Sequence, residues 1–212
     1  MTIRVALIDD HPVVLGGLDA ALGSTDDLAV VAHGQTIAEG RAILARGDVD
    51  VALLDIRLPD GNGLELLVEP GPGHRPPVIV LSSFKTSQYV AAAVRFGAQG
   101  FLLKTAPLAE LLEAIRRVAT GGSSFSAEQL RESTTGLVSL TTREREVLRL
   151  VLRGRSNEEI GAELKVSRKT VEAHLSRLYE RHGIQGGRID LAIRAEREGW
   201  LEIGPGVTRA AK

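Results

Sequence analysis

The fold of the first half of the chain is indicated by one stretch, Val51-Ala52-Leu53-Leu54-Asp55. Apolar residues in unbroken succession are typical of a strand that is buried on both faces of a parallel sheet. Four further runs of this kind are Val5–Ile8, Leu28–Ala32, Val78–Leu81 and Phe101–Leu103. Because helical patterns separate the runs, we predict an α/β fold with a doubly wound, five-stranded parallel sheet.

The second half of the chain has no strand-like runs. We predict four helices there, at about residues 142–153, 157–164, 168–182 and 187–198. The polar stretch that opens with Gly121-Gly122-Ser123-Ser124 is typical of an interdomain linker, and it includes a short helix around Ala127–Arg131. The predicted domains are therefore an α/β domain over 1–120 with flavodoxin-like strand order, a linker over 121–138, and an all-α four-helix domain over 139–212.

Charge divides between these two domains. The net charge of the chain is −1, but residues 1–121 carry 10 Lys+Arg against 14 Asp+Glu, a net −4. Residues 139–212 carry 15 against 11, a net +4. An acidic domain suits cation or phosphate chemistry, and a basic domain suits contact with nucleic acid.

Composition limits the remaining function classes. The sequence contains no Cys, which excludes a disulfide framework and a thiolate metal site. No stretch approaches the roughly 18 apolar residues of a membrane span. We therefore expect a cytoplasmic protein with no membrane partner.

Polar residues follow the ends of four predicted strands. Asp9 and Asp10 follow the first run, and Asp55 follows the third. Ser82 follows the fourth run and Lys104 the fifth. Carboxyl ends of parallel strands meet at one edge of a sheet, so we expect these side chains to converge there. For one Asp a helix N-cap would be the simpler interpretation, but the whole set favours a Mg²⁺ site at which a carboxylate attacks a phosphoryl group.

Three segments carry a resemblance to a known family. They are Asp9-Asp10-His11-Pro12, Leu54–Gly61 and Gly100–Lys104. Residues 3–119 resemble the receiver domain of two-component response regulators. The resemblance implies that Asp55 accepts phosphate from a sensor histidine kinase. It also implies that Asp10, Asp55 and the backbone carbonyl of Arg57 hold Mg²⁺, with Asp9 acting through a water molecule.

The same resemblance implies roles for residues around the acceptor. Lys104 pairs with a phosphoryl oxygen, Ser82 is the switch hydroxyl, and Phe101 is the aromatic whose rotamer follows it. Arg57 and Phe84 flank the path of the water that hydrolyses the phosphoaspartate. A bulky ring there lowers the occupancy of that water, so we expect slow dephosphorylation.

The second half contains a helix-turn-helix pattern. A short helix ends near Leu164, and Ser167 is placed as the N-cap of a longer helix with a polar face. Leu140–Leu148, Ser156–Ile160 and Val166–His174 resemble the LuxR-type helix-turn-helix. A receiver followed by this domain resembles the NarL/FixJ family.

This second resemblance implies binding to double-stranded DNA. The candidates for phosphate contacts are Arg168, Lys169, Thr170 and Arg177. The candidates that face the bases are Glu172, Ala173 and Ser176. Such domains usually bind paired half-sites, so we expect a homodimer. We predict that Ile189, Ala192 and Ile193 of the last helix face the core, while Leu191 and Ala195 form a second apolar face.

Three other functions fit the sequence less well. A flavin phosphate at the first strand is excluded because Asp9 and Asp10 would repel it. An aspartate-nucleophile phosphohydrolase usually has a second acid two residues after the nucleophile, where this chain has Arg57. A regulator that binds DNA without phosphorylation leaves the acid set unexplained. We therefore expect a transcription regulator and not an enzyme.

Overall fold

The computed structural model describes residues 2–68, 75–83, 86–133 and 138–201. Its strands are β1 (Ile3–Ile8), β2 (Leu28–Gly34), β3 (Val51–Asp55), β4 (Arg57–Leu58), β5 (Gly61–Asn62), β6 (Val78–Ser82) and β7 (Gly100–Leu103). Five of them form one parallel sheet in the order β2-β1-β3-β6-β7. This is the flavodoxin-like order, so the predicted sheet is confirmed. The short strands β4 and β5 form a separate antiparallel hairpin directly after β3.

Two layers of helices cover the sheet. Helices α1 (Pro12–Gly23) and α5 (Leu108–Ala119) pack on one face, with α2 (Ile37–Leu44), α3 (Glu65–Val68) and α4 (Ser87–Arg95) on the other. Successive strand residues point to opposite faces, so Leu7 joins the core under α1 and α5 while Ile8 joins the other. Over the described ranges, no helix has the length and apolar character that crossing a membrane requires.

The segment between the two domains packs along the edge strand β7. Ser124 forms a parallel bridge with Gly100, and its N–H donates to the Gln99 carbonyl at 2.7 Å. Helix α6 (Ala127–Ser133) follows, which confirms the predicted short helix, and it contacts α4. From α6, Gln129 Nε2 donates to the Phe101 carbonyl at 2.9 Å. The boundaries at residues 121 and 138 stay predictions.

The described part of the second half, residues 138–201, is helical, as predicted. Its helices are α7 (Thr142–Leu152), α8 (Asn157–Leu164), α9 (Arg168–His182) and α10 (Gly187–Glu198). The turn between α8 and α9 is tight because Lys165 adopts the left-handed conformation, with φ 55°. A Cβ at Gly161 would lie 2.8 Å from the Val166 carbonyl oxygen, so only glycine permits this close approach.

The orientation of α10 differs from the prediction. Leu191 and Ala195 are buried in the domain core, at 0% and 2% exposure, whereas Ile189 and Ile193 are 73% and 60% exposed. The prediction that Ile189 and Ile193 face the core was therefore wrong. Both pairs have the i, i+4 spacing of a helix face, so periodicity alone cannot choose between them. Packing of α10 against α7 and α9 makes the choice.

Glu144 is a buried carboxylate at the start of α7. Its Oε2 accepts hydrogen bonds from the Thr141 N–H at 2.9 Å and hydroxyl at 3.0 Å, and it lies 3.1 Å from Arg181 Nη1. Burial opposes the charge, but the hydrogen bonds from Thr141 and Arg181 outweigh it and lower the pKa of Glu144. The folded helical domain therefore favours the ionised carboxylate.

We expect Glu144→Gln to lower the free energy of unfolding of the helical domain by about 1–2 kcal/mol at pH 7, because charged hydrogen bonds are lost. Because the pKa of Glu144 is lowered in the folded state, its carboxylate stabilises the domain at pH values above the ordinary pKa of 4.5. This stabilisation is lost as the pH falls through the pKa of the folded state. The difference in free energy of unfolding between wild type and Glu144→Gln should therefore be smaller at pH 3 than at pH 7. Urea unfolding followed by fluorescence of Trp200, the one Trp of the chain and 1% exposed in this core, measures it.

The matched control is Glu146→Gln in the same helix. Its side chain is 41% exposed and pairs with Arg143 at 2.7 Å, and pairs near the surface contribute about 0–1 kcal/mol. Equal unfolding midpoints for Glu144→Gln and Glu146→Gln would contradict the argument.

Candidate functional site

The carboxyl edge of the sheet brings the predicted polar residues together. Asp9 directly follows β1, Asp55 ends β3, Ser82 ends β6 and Lys104 directly follows β7. Lys104 Nζ lies 2.6 Å from Asp9 Oδ2 and 2.9 Å from Asp55 Oδ2. The Lys104 N–H also donates to the Ser82 carbonyl at 2.8 Å, which holds the ends of β6 and β7 beside each other.

Burial determines the electrostatics of this edge. Asp9 is 2% exposed and Asp55 4% exposed, while Asp10 is partly exposed beside them. Burial raises the pKa of Asp55, and the adjacent Asp9 adds to the rise, whereas the nearby ammonium of Lys104 opposes it. Grouping acids here is favourable only with compensating positive charge.

The acidic cluster suits a hard cation. Three of its buried oxygens accept no hydrogen bond of ordinary geometry from the described residues: Asp9 Oδ2, Asp10 Oδ1 and Asp55 Oδ2. Two of them, Asp9 Oδ2 and Asp55 Oδ2, form ion pairs with Lys104. A cavity of about 130 Å³ adjoins Asp55 and is lined by His11, Ile56, Arg57, Ser82 and Ser83. Such a set of carboxylate oxygens beside open space fits a divalent cation with oxygen ligands.

The loop after Asp55 is held tightly. The Ile56 N–H donates to Asp55 Oδ1 at 2.8 Å, and the Arg57 N–H also hydrogen-bonds to this carboxylate. A Cβ at Gly63 would lie 2.1 Å from the Asp55 carbonyl oxygen, so this position accepts only glycine. Asp60 accepts the Ile37 N–H at 2.8 Å and thereby ties the same loop to the start of α2.

Of the two aromatic residues assigned to the site from the sequence, Phe101 and Phe84, the structure describes only Phe101. Phe101 is 1% exposed and belongs to the core cluster that includes Tyr89 of α4. Phe84 lies outside the described residues. Arg57 is exposed in β4, at the rim of the cavity beside Asp55.

The predicted DNA contacts share one helix, α9. Exposed positions are Arg168, Lys169, Thr170, Ala173, Ser176 and Arg177, and Glu172 is partly exposed. Ser167 caps the helix as predicted, since its Oγ accepts the Thr170 N–H at 3.1 Å. Val171, Leu175 and Leu178 face the core instead.

Two protein families match this chain, one in each of its two domains. Residues 5–116 match the family model of the response regulator receiver domain, and residues 138–194 match that of the bacterial regulatory proteins of the luxR family. Transcriptional regulatory protein UhpA of Escherichia coli (strain K12) is 39% identical over 93% of this chain and 100% of its own. The chain belongs to the NarL/FixJ family of two-component response regulators.

Solved structures agree with this membership. The response regulator ChrA of a heme-sensing two-component system is 33% identical, with a TM-score of 0.56 over 94% of this chain and 98% of that one. RcsB from Salmonella enterica serovar Typhimurium, bound to a promoter in the presence of the phosphomimetic BeF₃⁻, has a TM-score of 0.64. The match covers 94% of this chain and 100% of that one. RcsB is 23% identical, so it supports the fold alone.

Sequence reasoning missed two features of this response regulator. His11 lies beside the receiver carboxylates, with Nδ1 2.7 Å from Asp10 Oδ1 and 3.1 Å from Asp9 Oδ1. In the LuxR-type domain, Arg168 pairs with Glu158 and, at 2.7 Å, with Glu172. The i, i+4 spacing of Arg168 and Glu172 was a usable signal. The approach of His11 depends on how the loop before α1 folds.

We expect Lys104→Met to lower the free energy of unfolding of the receiver domain by about 3 kcal/mol, because two buried carboxylates lose their counter-charge. Hydrogen exchange of the β3 amides at pH 7 measures this loss. Lys169→Met is the control, since its exposed ammonium on α9 should change receiver stability by less than about 0.5 kcal/mol. Unaltered β3 protection in Lys104→Met would show that the ion pairs do not stabilise the domain.

Proposed function

We propose that this response regulator accepts a phosphoryl group on Asp55 from a sensor histidine kinase and thereby controls its binding to promoter DNA. It acts as a cytoplasmic transcription regulator and not as an enzyme. The observation that carries the proposal is the pair of buried carboxylates, Asp9 and Asp55, that share the Lys104 ammonium. A structural ion pair needs one carboxylate, whereas phosphoryl transfer needs a nucleophile among charges that neutralise the phosphate.

Mg²⁺ is the proposed cofactor, and it would neutralise phosphoryl oxygens when bound. Asp10, Asp55 and the backbone carbonyl of Arg57 would hold it directly, and Asp9 would act through water. Three carboxylates that share one ammonium, Lys104, support this assignment, because they leave an excess of negative charge for a cation. The carbonyl of Arg57 as a ligand stays a prediction.

The other site residues have proposed roles in the same transfer. An Asp55 oxygen forms a bond to phosphorus while the bond to the kinase histidine nitrogen breaks. Lys104 then pairs with a phosphoryl oxygen, and Ser82 supplies the switch hydroxyl at the cavity rim. Phe101 changes rotamer in response, and Arg57 with Phe84 slows hydrolysis of the phosphoaspartate.

We expect acetyl phosphate and Mg²⁺ to add one base-labile phosphoryl group to the wild-type chain. Asp55→Ala removes the acceptor oxygen and should abolish labelling, and Asp10→Ala should nearly abolish it by weakening the cation site. Intact-protein mass spectrometry measures the added phosphoryl group. Asp48→Ala is the control, because this carboxylate is exposed and pairs with Arg46 away from the cluster. Full labelling of Asp55→Ala would refute the acceptor assignment.

DNA binding is proposed for the exposed face of α9. Arg168, Lys169, Thr170 and Arg177 contact phosphates, while Glu172, Ala173 and Ser176 face the bases. A homodimer would bind two half-sites. The exposed pair Ile189 and Ile193 on α10 supports a dimer surface there, because large apolar side chains side by side favour burial against a second copy.

We expect Lys169→Glu to weaken binding to all DNA sequences about equally and to reduce the salt slope by about 1, because one phosphate contact is lost. Ser176→Ala should instead alter sequence preference with little change in the salt slope. Fluorescence anisotropy on promoter and random duplexes over a range of salt concentrations separates the two effects.

The control carries the same charge reversal on the receiver, Arg46→Glu, where the side chain is exposed and far from α9 in the sequence. If Lys169→Glu and Arg46→Glu bind DNA equally at low salt, α9 is not the recognition helix.

A further inference from the structure

His11 contributes a nitrogen atom to the acidic cluster of the receiver. Its Nδ1 lies 2.7 Å from Asp10 Oδ1, 3.1 Å from Asp9 Oδ1 and 4.0 Å from Asp55 Oδ2. One ligand atom from each of these four residues lies within 4.8 Å of every other. Donors bound to one ion at about 2.1–2.3 Å lie at most about 4.6 Å apart, so these four atoms could reach one ion after small shifts of their side chains.

The backbone determines where the imidazole lies. His11 is the N-cap of α1, its N–H donates to Asp9 Oδ1 at 2.9 Å, and Pro12 begins the helix directly after it. Its side chain is 58% exposed, so the ring can adjust without disturbing the core. The ring is therefore held near the carboxylates and remains accessible from solvent.

Lys104 and His11 contact different oxygens of Asp9. Lys104 Nζ pairs with Oδ2, while His11 N–H and Nδ1 both approach Oδ1. The ammonium thus lies on the Asp9–Asp55 side of the cluster, and the imidazole lies on the side where Asp10 contributes its Oδ1. A cation bound between Asp9, Asp10 and Asp55 on the imidazole side would have a nitrogen donor within reach.

We propose that His11 Nδ1 is a fourth protein ligand of this site and strengthens its binding of first-row transition-metal ions relative to that of Mg²⁺. The inference rests on the proposed cation site and adds its selectivity. Mg²⁺ prefers oxygen ligands and keeps several waters, whereas imidazole nitrogen suits Co²⁺, Ni²⁺ and Zn²⁺. One nitrogen beside the oxygen ligands of Asp10, Asp55 and the Arg57 carbonyl therefore changes the relative affinity for these two classes of ion.

The test is calorimetric titration of the full-length protein with Co²⁺ and with Mg²⁺, together with the visible absorption spectrum of the Co²⁺ complex. We expect His11→Asn to weaken Co²⁺ binding by about tenfold or more and to change Mg²⁺ binding by less than about twofold. Asn is itself a good N-cap and offers an oxygen, so α1 should stay intact. The Co²⁺ spectrum should change with loss of the nitrogen ligand.

His33→Ala is the matched control, because His33 is an exposed histidine that pairs with Asp19 at 3.3 Å outside the cluster. It should leave both affinities and the spectrum unchanged. Equal Co²⁺ affinity and an identical spectrum in wild type and His11→Asn would overturn the inference and leave the cation site standing. Undiminished binding of both ions by Asp10→Ala would overturn the cation site itself, and the inference with it.

Discussion

A single ammonium group holds two buried carboxylates together at the carboxyl edge of the sheet. Lys104 follows the edge strand β7, and its side chain extends past the end of β6. Its ammonium contacts Asp55 at the end of β3 and Asp9 directly after β1. These contacts require the strands to end at the same level, because a slip of one residue would turn each side chain to the opposite face. The chemistry of the receiver therefore depends on the register of the parallel sheet, and the sheet gains a counter-charge where its acids meet.

Strand β7 connects this edge with the segment that leads to the DNA-binding domain. It carries Phe101 in the core and ends directly before Lys104, while its outer edge is covered by Ser124. Gln129 of α6 donates to the Phe101 carbonyl, and the Val138 N–H donates to Gln88 of α4. Covering an edge strand satisfies backbone groups that would otherwise be open to other chains. The contacts of Ser124 and Gln129 bring the interdomain segment to the strand that directly precedes Lys104.

The LuxR-type domain combines a tight turn with a partly compensated basic surface. Glycine at 161 lets α8 approach the turn closely, and Ser167 starts α9 immediately after it. Arg168 is engaged by Glu158 and Glu172, so its charge is less available to a phosphate than that of Lys169. A net charge of +4 for residues 139–212 therefore overstates the attraction that α9 alone exerts on DNA.

The sequence by itself determined the sheet and the acidic edge of this protein. Apolar runs predicted the buried strands, and the polar residues that follow them predicted the acidic edge. Both predictions were possible because a buried strand is encoded in a short continuous segment. The sequence could not predict which side of α10 is buried, since Ile189 with Ile193 and Leu191 with Ala195 have the same helical spacing. Nor could it predict that His11 turns toward Asp10. Such choices depend on contacts between residues far apart in the chain or on loop conformation, and only the folded arrangement decides them.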